Sequence, residues 1–174
     1  MQQLYITKER LKSLRDPKVL KQVEKACRCK IETEPDGTVT INSNDAFDEF
    51  NAKNVVYAFG RGFEMDVALK LLNPEFYFGI IDLGQLESKP DRIKQLKARV
   101  IGIEGRAKRY IEEVSLAHIS VYGDTVALIG NINQISEAET AIDTIIDGGT
   151  HRLAYIRMEA MHRKNKENAI SARF

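Results

Sequence analysis

The residues best placed to do chemistry are Gly102-Ile103-Glu104-Gly105 and the basic side chains that bracket them. Two glycines three apart let the backbone turn sharply and approach a phosphate with no Cβ in the way. Arg106, Lys108 and Arg109 follow the turn, and Lys97 and Arg99 precede it. If a helix begins at Arg106, its first N–H groups and the positive end of its dipole face the same anion. Ile101, Ile103, Ile119 and Val121 are the apolar residues that could support unstacked bases. This is the chemistry of holding a phosphate chain, not of breaking bonds. His118, His151 and His162 have no nucleophile spacing near them, and the chain has no Gly-x-Ser-x-Gly, Walker or His-x-x-x-His pattern. No catalysis is expected. Gly60-Arg61-Gly62 follows a helical stretch, whereas a dinucleotide fingerprint follows a strand. Cys27 and Cys29 are too few and too close for a disulfide framework or a four-ligand zinc site, so no metal or cofactor is expected.

The elements around the turn are legible. Tyr77 to Leu83 is a β-type run. Ser88-Lys89-Pro90-Asp91 reads as a helix start with Ser88 as N-cap, and Ile93, Leu96 and Val100 continue at helical spacing to Ile101. After the Gly-x-x-Gly, Arg106 to Ser115 reads as a helix burying Ala107, Tyr110, Ile111 and Val114. His118 to Tyr122 and Thr125 to Ile129 are strands joined by Gly123-Asp124, a hairpin signal. Ile135 to Ile146 closes the unit as a helix.

The first half repeats this order. Leu4 to Ile6 is a short apolar run, followed by helical patterns over Glu9 to Leu14 and from Pro17 to Cys27. Strands over Cys29 to Thr33 and Thr38 to Ile41 flank Pro35-Asp36-Gly37, and Ala46 to Phe59 is helical, capped at Asn44 or Asp45. Val23 and Ile111 lie 88 residues apart, as do Ile31 and Ile119, while Val39 and Val126 lie 87 apart. At that offset Gly102-Ile103-Glu104-Gly105 falls on Leu14-Arg15-Asp16-Pro17. The first copy therefore lacks both glycines and carries an acid where an anion would sit.

The chain has 174 residues, and its formal net charge of +1 hides segregated blocks. Lys8 to Lys30 holds nine bases against three acids, and Glu32 to Glu49 holds six acids and no Lys or Arg. Lys89 to Arg109 holds eight bases against two acids, and the segment from His151 onward is basic again. Such a distribution, more than the net charge, bears on nucleic acid. Between Arg152 and Lys164, Leu153, Ile156 and Ala160 suggest the packing face of an amphipathic helix, with bases on its other face. That helix serves either as a second RNA contact or as a solvated cover. No apolar run approaches the ~18 residues a membrane span needs, and the start of the chain shows no signal-peptide pattern, so a cytoplasmic protein is expected.

The string Arg99–Arg106 (RVIGIEGR) followed by Ile119–Val126 (ISVYGDTV) resembles a KH domain. Together with Asn54–Phe63 (NVVYAFGRGF) and Ala68–Leu72 (ALKLL) it is similar to the archaeal ribosome-assembly proteins of the partner-of-Nob-one (Dim two) family. The resemblance covers nearly the whole chain. It implies an α+β protein of two type I KH-like units, each a three-stranded sheet packed by helices, the first degenerate, plus a C-terminal helix. The expected divisions are 1–72, 76–148 and 149–174. It further implies binding of single-stranded RNA near the 3′ end of small-subunit ribosomal RNA and partnership with the endonuclease that matures that end. A monomer is expected. The RNA contacts expected are Lys97, Arg99, Ile101, Gly102, Ile103, Glu104, Gly105, Arg106, Lys108, Arg109, Ile119 and Val121. Ile103 departs from the family's usual basic residue, and Glu104 sets a carboxylate beside the phosphate, so the loop alone is expected to bind weakly. Asp at both Gly102 and Ile103 is expected to abolish RNA binding with thermal unfolding nearly unchanged. Two other readings remain: a protein-binding adaptor, favoured by the degenerate first copy, and a KH regulator of transcription or translation.

Overall fold

The computed structural model describes residues 1–172; of the expected C-terminal segment 149–174, residues 173 and 174 lie outside the described residues. The chain divides into two compact units, Met1–Phe78 and Gly79 onward.

In the first unit β1 (Gln2–Tyr5) leads to α1 (Lys8–Leu14) and α2 (Pro17–Cys27), then β2 (Lys30–Thr33), β3 (Thr38–Asn42), α3 (Ala46–Gly60) and α4 (Met65–Ala68). A single 3-10 turn, Leu69–Leu72, follows α4. The sheet order is β1-β3-β2, antiparallel throughout, with Leu4 opposite Val39 and Ile31 opposite Ile41. Val39 and Ile41, two apart on the central strand, point to the same face and are fully buried. Helix starts follow side-chain chemistry. Thr7, Asp16 and Asp45 each accept a backbone N–H of the first turn, and Pro17 occupies the first position of α2. Arg10 donates to the carbonyls of Phe59 and Phe63 at the end of α3, with its guanidinium 4.0 Å above the Phe59 ring. Cys27 and Cys29 are buried and free of any disulfide.

The second unit repeats the order: β4 (Tyr77–Asp82), α5 (Leu83–Leu86), α6 (Pro90–Ile101), α7 (Arg106–Ser115), β5 (His118–Tyr122), β6 (Thr125–Gly130), α8 (Ile132–Ile146) and α9 (His151–Ser171). Its sheet order is β4-β6-β5, and every residue of β6 is buried. Leu83, read as the end of a strand, starts the short α5 because the Asp82 carboxylate caps the N–H groups of Gly84 and Gln85. Ser88 is not the N-cap of α6. Pro90 takes the first helical position, so Lys89 is the cap, without a side-chain bond.

The repeat holds at atomic detail. Val23 and Ile111 are both fully buried. Glu24 Oε1 accepts from Ile31 N–H at 3.0 Å, and Glu112 Oε1 accepts from Ile119 N–H at 2.8 Å. Arg28 and Leu116, also 88 apart, end their helices in the left-handed conformation. The closing helices α3 and α8 are each 15 residues long.

Helix α9 packs by a different face from the one expected. Ala154 and Met158 are buried, while Leu153, Ile156 and Ala160 are exposed. The seam with α8 is partly polar: the buried Glu137 carboxylate accepts from Asn165 Nδ2 at 2.7 Å and lies 2.8 Å from His162 Nδ1. A hydrophobicity pattern cannot see a stripe that runs through His162 and Asn165, which is why Leu153 and Ile156 looked like the packing side.

Candidate nucleic-acid interface

Helix α6 ends at Ile101 and α7 begins at Arg106, leaving four residues to reverse the chain. Gly102 holds φ 75° and ψ 173°, a region essentially closed to other residues. A Cβ there would sit 2.6 Å from Ala107 Cβ and 2.8 Å from its backbone nitrogen. Gly105 is left-handed at φ 74°, and a Cβ built there would meet nothing within 4 Å. The first glycine is therefore demanded by packing, and the second faces open space. Gly105 is the N-cap of α7 and provides no side-chain bond; Arg106 N–H donates to the Ile103 carbonyl, and the amides that follow it in the first turn have no side-chain cap.

The corresponding joint in the first unit is closed. Leu14 is fully buried, Pro17 supplies no N–H, and the Asp16 carboxylate accepts from Lys18 N–H at 2.8 Å. A fixed anion already occupies the helix end that in the second unit is open. Arg15 donates to the Thr33 hydroxyl at 2.9 Å.

The side chains expected at the loop divide into three groups. Ile103 is 81% exposed at the tip, and Arg106 and Arg109 are exposed beside it. Glu104 turns its carboxylate onto Arg106 at 2.9 Å, and its backbone carbonyl accepts from Arg109 at 2.8 Å. The acid that threatened a bound phosphate is thus neutralised by its neighbour. Both partners of the pair are largely solvated, so exchanging carboxylate for phosphate costs no more than about 1 kcal/mol. Ile101 and Val121 are half-buried, the latter on the edge strand β5. Lys97 donates to Gly123 O at 2.8 Å and Asp124 at 3.3 Å, tying the β5–β6 hairpin to α6, and Lys108 pairs with Glu112 at 2.9 Å.

Two expected contacts are corrected. Arg99 donates to the carbonyls of Ile145 and Gly149, and its own carbonyl lies 2.8 Å from His151 Nε2. Its guanidinium is spent on the end of α8, where a cation also complements the dipole. Ile119 is 4% exposed and belongs to the core with Ile111 and Leu128, so it supports the fold and meets no base. Sequence reading also missed Tyr110 as a bridge: its ring lies 4.4 Å from that of Tyr155, and its hydroxyl donates to Glu159, which raises the phenol above its ordinary pKa. No spacing signal connects residues 45 or more apart across two helices.

Residues 77–163 match the family described as eukaryotic type KH-domain (KH-domain type I), in its PNO1 second-domain form. A KH domain-containing protein of Methanocaldococcus jannaschii is 38% identical over 152 residues, spanning 85% of this chain and 67% of that protein. The pre-rRNA-processing protein PNO1 of Chaetomium thermophilum is 26% identical over 115 residues, 64% of this chain. The match spans only 44% of the length of that relative. Among solved structures, the complex of a/eIF2alpha, aDim2p and rRNA from Pyrococcus horikoshii contains a chain 34% identical to this one. The TM-score is 0.85, and the likeness covers 94% of each chain.

Proposed function

The chain belongs to the PNO1-type KH-domain family, and from that membership we propose that it is a ribosomal-RNA-binding protein of small-subunit assembly. Its ligand is single-stranded RNA near the 3′ end of the small-subunit rRNA. It holds the RNA without cutting it, and an endonuclease that matures that end is its protein partner.

The observation that carries the reading is the open N-terminus of α7. Gly102 and Gly105 shape a turn whose amides have no side-chain cap, with Arg106 and Arg109 beside them. The presence of rRNA with the Pyrococcus relative supports the choice of RNA class. A KH loop clamps the backbone of about four nucleotides, and sequence is read on splayed bases rather than on a duplex. Ile101 and the exposed Ile103 are the apolar residues offered to such bases, while Val121 packs against the core beside Ile119.

The protein-binding role rests on a second observation. In the first unit Phe47, Phe50, Leu72 and Phe76 are among the residues lining a groove of about 400 Å³, and Phe47 is 68% exposed. With its helix joint capped by Asp16, this unit offers apolar surface to a protein in place of a phosphate clamp.

The test is a titration of the full chain into labelled single-stranded RNA from the rRNA 3′ end, beside a scrambled strand and a matched duplex. The account expects preference for the ribosomal strand and its loss in Ile103→Asp. Equal binding to all three, erased by moderate salt, overturns it in favour of the adaptor.

A further inference from the structure

We propose that the outward face of α9 is a second RNA-backbone site, which receives the strand as it leaves the α6–α7 loop and supplies most of the electrostatic part of binding. The inference rests on the RNA-binding reading above and adds to it where the strand goes next.

Around the loop, Lys97, Arg99, Arg106, Lys108 and Arg109 each bond a protein carbonyl or carboxylate. A phosphate there displaces an existing partner and gains correspondingly less. On α9, Arg152, Arg163 and Lys164 are exposed and, among the described residues, have no carboxylate within ion-pair distance. At 100° per residue they lie on the side of the helix away from the buried Ala154 and Met158. Between them run Leu153, 39% exposed, and Ile156, 52% exposed. An apolar ridge with unpaired cations beside it matches a strand that presents phosphates alternately with ribose and base faces.

Continuity with the loop is equally direct. The start of α9 is fastened to the last turn of α6 by the contact between His151 Nε2 and the Arg99 carbonyl, and Arg99 lies three residues before Gly102. Further along, Tyr155 and Glu159 pack on Tyr110, one turn into α7 from Arg106. From His151 to Lys164 the helix extends roughly 20 Å. The α9 cations thus sit on a helix fastened to both helices that flank the loop.

The test measures the salt dependence of affinity for a long and a short single strand from the rRNA 3′ end. The triple variant Arg152→Gln/Arg163→Gln/Lys164→Gln is compared with the native chain and with Ile103→Asp. Each phosphate neutralised on a single strand contributes about 0.7 to the slope of log affinity against log salt. Losing three contacts lowers that slope by about 2, so between 0.05 and 0.2 M salt the native chain loses roughly 20-fold more affinity than the triple variant. The difference is expected for the long strand and absent for a tetranucleotide, which occupies the loop alone, with the melting temperature unchanged. An unchanged slope in the triple variant, with Ile103→Asp still defective, overturns the α9 site and leaves the RNA reading standing. Absence of native RNA binding overturns both. Retained RNA slope with lost binding of an acidic protein assigns this face to a protein instead.

Discussion

Gly102→Ala and Gly105→Ala look alike in sequence and should behave differently. At position 102 an added methyl meets two penalties: a backbone region at φ 75° and ψ 173° that only glycine occupies readily, and a Cβ 2.6–2.8 Å from Cβ and N of Ala107. The conformational part costs about 1–3 kcal/mol, and forcing the start of α7 aside costs about 1–3 kcal/mol more. Taking about 3 kcal/mol in total, a domain of this size loses roughly 12 °C or more in melting temperature. At position 105 the methyl points into open space, and only the left-handed conformation at φ 74° resists it, for about 1 kcal/mol. That corresponds to a decrease of roughly 4–8 °C. The second substitution nevertheless sets a Cβ where the phosphate approaches, so RNA affinity falls although the unit remains folded. Thermal unfolding followed by circular dichroism, with RNA titration below the transition, reads both effects. Equal stability of the two variants, or a Gly102→Ala as stable as the native chain, refutes the reasoning. The same geometry revises the sequence expectation for Asp at Gly102 and Ile103: the glycine half of that change costs stability, and Ile103→Asp is the clean probe of binding.

Other consequences follow from particular contacts. Arg99→Ala removes two charge-assisted bonds to the carbonyls of Ile145 and Gly149 and should cost about 3 kcal/mol in chemical unfolding, with the RNA salt slope unchanged. A lost slope with intact stability would return Arg99 to the RNA surface. Asp16→Ala removes the cap of α2 for about 1 kcal/mol and leaves RNA affinity as it was. Burial, and then the charge of Asp143, push the Glu139 carboxyl above its usual range. Because the folded state holds this proton more tightly, the group's contribution to stability is complete below the ordinary carboxylate pKa and falls as pH rises through the raised value. Glu139→Gln should therefore raise the melting temperature at pH 7 and leave it unchanged near pH 3; a variant less stable at pH 7 contradicts this.

The alternation of elements was legible because each announces itself locally: Pro17 and Pro90 at helix starts, Pro35-Asp36-Gly37 and Gly123-Asp124 at hairpins, and apolar residues at periods of two or 3.6. The internal repeat was legible because Val23, Ile31 and Val39 recur at a nearly constant offset as core positions. The candidate site was legible as a loop but not as a set of contacts. Arg99 and Arg106 are indistinguishable as letters, yet one is folded onto the end of α8 and the other stands at the surface. Ile119 and Val121, two apart on β5, share a face that packs on the core, and nothing in their letters tells the buried residue from the half-buried one. The packing face of α9 was misread because its seam contains Glu137, His162 and Asn165, a polar match that depends on α8. The significance of Asp16 likewise emerged only when its carboxylate was seen on Lys18 N–H, where the second unit has an open helix end.

The central claim is that the N-terminus of α7, and not its closed counterpart in the first unit, receives the RNA phosphates. The most direct measurement is the shift of backbone amide resonances as single-stranded RNA from the rRNA 3′ end is added to the labelled chain. The account predicts saturable shifts over residues 102–109, with residues 14–18 unmoved. Shifts at 14–18, or none at Gly105 and Arg106 when the RNA is bound, would contradict it.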